Sequence, residues 1–152
     1  MKTRETVLSD KGAFDLIHFY TLTDITKKTA EKNKQKPLKI LDLATGPGWE
    51  NNYHIIRTLR QSGSDYELHL TDISPKWFKI GYEKLSENLT PEEVEKEKVK
   101  CFLTDCTDLR KELKEVPIPY LSKNVSVEEV LKNPDYSFLK TGHEGVKRKT
   151  NF

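Results

Sequence analysis

The sequence predicts an α/β fold, an open parallel sheet with flanking helices. Three observations predict it. Short apolar runs over 38–44, 66–72 and 99–105 have the length and bounds of strands. Stretches with helical spacing follow the first two runs. Each run also carries an aspartate toward its carboxyl end, Asp42, Asp72 and Asp105. Successive β–α units deliver such residues to one edge of a sheet, where ligands of open α/β folds sit.

The chain has 152 residues, which suggests one domain. Hydrophobic residues make up 35% and charged residues 33%, enough for a core under a very polar surface. A net charge of +2 is too small to argue for a nucleic-acid partner. No run of about 18 apolar residues is present, so no membrane span is expected. Residues 1–10 lack the apolar centre of a signal peptide. Cys101 and Cys106 lie on one short stretch, which argues against a structural disulfide and for a reducing, cytoplasmic setting. Two cysteines with so few partners make no metal site.

The first element is a helix over about 10–32. Ser9 is its candidate cap, and Phe14, Ile17, Thr21 and Ile25 are spaced along one face. A lysine-rich link, 31–36, leads to Pro37 and the first strand. There Ile40, Leu41, Leu43 and Ala44 give the continuous apolar run of a strand covered on both faces. Asp42 inside that run needs a partner to offset its desolvation. Gly46 and Gly48 form a turn that allows positive φ and close approach by a ligand. The helix opening near Trp49 aims unpaired N–H groups over that turn. Trp49, Tyr53, Ile56 and Leu59 are its core contacts, and Ser62-Gly63-Ser64 ends it.

The second strand runs from Tyr66 to Asp72. An acid at that place accepts the hydroxyls of a ribose in nucleotide-binding sheets; a turn or capping role is the bland alternative. Ser74-Pro75 starts a helix with proline at its first position and an apolar stripe of Phe78, Tyr82, Leu85 and Leu89. Thr90-Pro91-Glu92-Glu93 reads as a capping box for a short solvated helix. Val99 to Asp105 is the third strand. A short helix over 108–115, a break at Pro117 and Pro119, and a second capping box at Ser126-Val127-Glu128-Glu129 complete the readable elements. Pro134 closes that last helix. The basic cluster Lys147-Arg148-Lys149 reads as solvated, and His143 and Glu144 as exposed loop residues.

The stretch Asp42-Leu43-Ala44-Thr45-Gly46-Pro47-Gly48 resembles the first motif of class I S-adenosylmethionine-dependent methyltransferases, with Ala44 at the place of the first glycine. Thr71-Asp72-Ile73-Ser74-Pro75 is similar to that family's second-strand motif. The resemblance covers about residues 10–115 and implies a Rossmann-like sheet of seven strands. It implies that S-adenosyl-L-methionine is the cofactor. Asp42 would face the methionine amino group, and the backbone at Ala44, Gly46 and Gly48 would approach the cofactor. Asp72 would hold the ribose and Ile73 would pack on the adenine, with Trp77 as another stacking candidate. Asp105 would accept from the adenine amino group, and the Cys106 N–H would donate to the ring. No catalytic base can be nominated.

Only three strands are legible. The family's fourth strand would start at about Phe152, so the sheet is expected to be truncated before it. The methyl acceptor, expected to be a small molecule, has no counterpart residues. The first strand would then lie at an open edge, an aggregation liability unless Tyr136-Ser137-Phe138-Leu139, a second copy or a partner chain covers it. The organisation expected is a helical cap and linker over 1–36, a cofactor-binding half over 37–116 and a basic tail over 117–152. Two other functions remain open. One is a non-catalytic cofactor-binding or interaction module. The other is a dinucleotide-binding oxidoreductase domain, against which stands Asn51 at the third glycine of G-x-G-x-x-G.

Overall fold

The computed structural model describes residues 10–34, 36–105, 113–122 and 125–143, with side chains described between 17 and 140. Ser9, Cys106, Glu144 and the Lys147-Arg148-Lys149 cluster lie outside the described residues, as do the side chain of Phe14 and that of His143. The described chain forms two compact units, residues 10–38 with 50–66, and residues 39–49 with 67–143.

The first unit pairs α1 (Asp10–Lys32) with α2 (Glu50–Gln61). Its buried residues include Thr26, Ala30, Ile56, Thr58 and Leu59. The Thr23 hydroxyl donates to the Phe19 carbonyl at 2.8 Å, so the contact of 2.5 Å between His54 Nε2 and Thr23 Oγ1 has the imidazole as donor. The Phe19 and His54 rings lie 5.0 Å apart. Gly63 ends α2 at φ +67°, with Gly63 N–H on Arg60 O and Ser64 N–H on Leu59 O. That pair of bonds is a Schellman stop, as Ser62-Gly63-Ser64 leads one to expect.

The face that carries Ile17, Thr21 and Ile25 is not the side of α1 that is buried: Ile17 is 65% and Ile25 56% exposed. The inward side of α1 is the opposite one, carrying Thr26 and Ala30. Small residues there let α2 come close, and the apolar stripe is left outside.

The second unit holds a four-stranded sheet in the order β1 (Leu38–Asp42), β2 (Tyr66–Asp72), β3 (Val99–Leu103), β4 (Lys114–Glu115). β2 and β3 are parallel, with Leu68 opposite Val99 and Asp72 opposite Leu103. β1 runs the same way, because Leu38 N–H meets Asp65 O before β2 and the Thr71 hydroxyl meets Asp42 O near its end. β4 is antiparallel, with Phe102 opposite Glu115. The core gathers Leu68, Leu70, Val99 and Cys101 from the sheet with Phe78, Tyr82 and Leu85 of α3 (Pro75–Ser86). Short helices α5 (Ile118–Leu121), α6 (Val127–Leu131) and α7 (Phe138–His143) add Tyr120, Leu121, Val130 and Leu139. Among the described residues no helix is long and apolar enough to cross a membrane.

The mixed α/β architecture with a mostly parallel open sheet is as expected, but four details differ. β1 stands at the edge of the described sheet, as expected, but it is not covered on both faces: Leu41 is 54% exposed, and Leu43 just beyond it 46%. Lys114 and Glu115 form a strand rather than the end of a helix, because Val116 N–H can take the Cys101 carbonyl at 2.8 Å while its side chain is buried. Tyr136 to Leu139 form no strand. A 3₁₀ turn over Pro134–Tyr136, capped by Asn133, passes into α7, which packs on α3. The Ser126 side chain makes no capping bond, whereas Thr90 and Glu93 form the full reciprocal box at α4 (Pro91–Glu95).

Candidate functional site

The carboxyl ends of β1, β2 and β3 lie side by side, and the glycine turn is built against them. Asp42 ends β1 half-buried, and its carbonyl accepts from Thr71 Oγ1 at 2.8 Å and Thr45 Oγ1 at 3.3 Å. Thr45 N–H bonds the Thr71 carbonyl at 2.8 Å. The turn is therefore stitched to β2 by a residue type, threonine, that has a hydroxyl to spare at a strand end.

Asp72 is 8% exposed, and both its oxygens are engaged. Oδ2 accepts Gly46 N–H at 2.8 Å, and Oδ1 accepts Ser74 N–H at 2.9 Å. The carboxylate ties the turn to Ser74, the N-cap residue of α3, through an Asx-type bond; Asp72 is not itself the cap weighed for it, and α3 has no side-chain capping bond. Each oxygen keeps a second lone pair for another donor. The main-chain carbonyl of Asp72 accepts Thr104 N–H at 3.0 Å, so Asp105 follows one residue beyond a bond to β2. The sequence-named acids Asp42, Asp72 and Asp105 thus belong to one rim. Cys106 lies outside the described residues.

Backbone conformation separates the small residues of the turn. Gly46 is at φ +62° and Ala44 at φ 55°, both left-handed. For Gly46 this is free; for Ala44 it carries steric strain. Gly48 is different. It is not left-handed, and a Cβ built on it would meet only Thr45 O, at 3.8 Å. The fold itself makes no use of the missing side chain there.

Leu43, Ile73 and Trp77 are exposed large apolar residues on this unit, at 46%, 58% and 41%. Sequence reading missed Thr71, whose hydroxyl holds Asp42, and Gly81 of α3. A Cβ at Gly81 would stand 3.2 Å from the Pro47 carbonyl, so α3 and the turn are in direct contact there. A glycine in the interior of a helix was the available signal for a close approach.

Elsewhere, a cavity of about 510 Å³ lies in the first unit, lined by Glu31, Lys34, Lys36, Ser62 and Asp65 among others. Both signs of charge line it, and none of the cofactor-binding candidates named from the sequence does. Compared with known proteins, the chain matches no family model and no curated sequence.

Proposed function

We propose that this chain is an S-adenosyl-L-methionine-binding domain of the methyltransferase type, acting on a small-molecule acceptor. Gly48 carries the reading. It is a glycine demanded neither by backbone angle nor by packing, in a turn that follows one strand-end acid, Asp42, and is bonded by another, Asp72. A ligand lying against the backbone is the simplest reason for a missing side chain there.

The residues present fit an adenosyl ligand. Asp72 retains acceptor capacity for ribose hydroxyls, and Ile73 beside it offers an exposed apolar surface for a flat base. Asp42 supplies negative charge toward an amino group, and Asp105 supplies an acceptor at the end of β3. When bound, the cofactor supplies an electrophilic methyl on sulfonium, which an acceptor N, O or C atom takes up as the thioether leaves. The chain's part is to bind, orient and exclude water, so that alignment supplies much of the rate. A reducing, cytoplasmic setting suits the free, buried Cys101.

Calorimetry on the folded chain tests this. S-adenosylmethionine should give saturable heat and NAD none. Gly48→Ala should weaken that binding at least about tenfold with thermal stability kept or slightly raised, since the added methyl meets only ordinary van der Waals contact and restricts the unfolded chain. Absence of heat with S-adenosylmethionine, or equal binding by Gly48→Ala, overturns the proposal. Binding without turnover of any acceptor would reduce it to the non-catalytic module.

A further inference from the structure

Threonines stand at the rim on the glycine turn, at the end of β2 and just past β3, and the fold does not use them alike. The Thr71 hydroxyl donates to the Asp42 carbonyl at 2.8 Å, and the Thr45 hydroxyl donates to the same carbonyl at 3.3 Å. Thr104 is only 9% exposed, its hydroxyl is enclosed, and Oγ1 meets no hydrogen-bond partner among the described residues. A buried hydroxyl left unmatched costs free energy, and most such groups in folded chains find a partner. Valine has nearly the same shape without that cost. Nothing in the described fold calls for the oxygen, so its use lies elsewhere. Thr104 is the first residue beyond β3, its N–H bonds the Asp72 carbonyl at 3.0 Å, and Asp105 follows it. It stands between the two acids that the proposed function gives to the ribose and to the adenine.

We propose that Thr104 is a further ligand-binding residue of this rim, whose hydroxyl hydrogen-bonds the adenosyl part of the ligand; this rests on the S-adenosylmethionine-binding reading and adds a contact to it. A hydroxyl suits the place because it both donates and accepts, so a ring nitrogen or a ribose hydroxyl satisfies it equally. The oxygen is enclosed, but a step of about 120° about χ1 exchanges it with another substituent of Cβ. The hydroxyl thereby turns toward a ligand without a backbone shift, and an apolar group takes its enclosed place at no polar cost. Thr71 is not available for this contact, because its hydroxyl already holds Asp42. Binding and stability are therefore divided between the two residues: Thr71 serves the fold and Thr104 serves the ligand.

Thermal unfolding without ligand and calorimetric titration with S-adenosylmethionine, both on the full chain, test this division. Thr104→Val should leave Tm unchanged or raise it by up to about 2 °C, since no bond is lost. Thr71→Val, which loses a bond and strands the Asp42 carbonyl, should lower Tm by about 2–4 °C. Thr104→Val should weaken S-adenosylmethionine about three- to tenfold, the worth of one hydrogen bond. Thr104→Ser, which keeps the hydroxyl, should bind within about twofold of the unaltered chain. A purely structural threonine would lose stability and affinity together, whereas this one should lose affinity alone. A fall in Tm for Thr104→Val like that of Thr71→Val overturns the proposal and shows that the fold uses the oxygen. Equal binding by Thr104→Val, or failure of serine to restore binding, also overturns it and leaves the S-adenosylmethionine reading in place. No heat from the unaltered, folded chain overturns both.

Discussion

The Asp72 carboxylate holds Gly46 N–H at 2.8 Å and, by its other oxygen, Ser74 N–H at 2.9 Å. One buried acid thereby locks a glycine turn and a helix start into a single corner. Hydrogen bonds to an ionised acceptor are stronger than neutral ones, and leaving a buried N–H unmet is costly. Asp72→Asn keeps the shape but turns an amide donor toward one of those N–H groups. It should destabilise the chain by about 2–3 kcal/mol, read from the shift in urea midpoint at constant slope. A change below about 0.5 kcal/mol would show that the corner stands without the charge.

Ala44 sits at φ 55°, where a Cβ is strained. Glycine removes that strain but gains freedom in the unfolded chain, and the two terms partly offset. The strain is the larger, so Ala44→Gly should stabilise by about 0.5–1 kcal/mol and raise Tm by about 2 °C. A fall in Tm would mean that Ala44 is not left-handed in solution.

Glu67 and His69 meet at 2.5 Å on the partly open face of β2, where the His69 ring also lies 4.9 Å from that of Phe102. The bond from His69 holds the Glu67 carboxyl below its ordinary value, burial opposing it. A depressed carboxylate contributes stability that is fully present above the unfolded value of 4.5 and is lost as pH falls through the lower folded value. Glu67→Gln should therefore destabilise by less than about 1 kcal/mol near pH 6, and the difference should vanish at strongly acid pH. A difference that grows on acidification would reverse the assigned sign.

Cys101 is 1% exposed, and burial raises its thiol far above the ordinary range. Only the thiolate is a nucleophile, so this sulfur should be inert in the folded chain. In a Cys106→Ser variant, alkylation should proceed only through unfolding, with a rate that rises with urea in step with the unfolded fraction. Rapid labelling in native buffer would show that the core opens locally around β3.

Much of this arrangement was legible in the chain itself. The extent of α1, the Schellman stop at Gly63, the capping box at Thr90 and the Phe78–Tyr82–Leu85 stripe are local patterns, and local patterns leave marks at fixed spacings. So is the delivery of Asp42, Asp72 and Asp105 to one rim, since parallel strands joined by helices all end on the same side. The bonds that fix the rim were not legible. That Thr71 would hold Asp42, or that Gly81 would admit the Pro47 carbonyl, depends on partners far away along the chain.

Tertiary structure alone decided which surfaces are covered. The apolar stripe of Ile17, Thr21 and Ile25 has helical spacing, but spacing gives a face and not its neighbour. The small residues on the other side let α2 approach there. The apolar run from Ile40 to Ala44 reads as covered on both faces, yet Leu41 and Leu43 are open, because the run itself does not say what packs against each face. Lys114 and Glu115 have no strand propensity to declare them, and they extend only because β3 presents an unmatched row of main-chain groups. Periodicity and caps are written residue by residue, whereas burial is a property of what else arrives at the same surface.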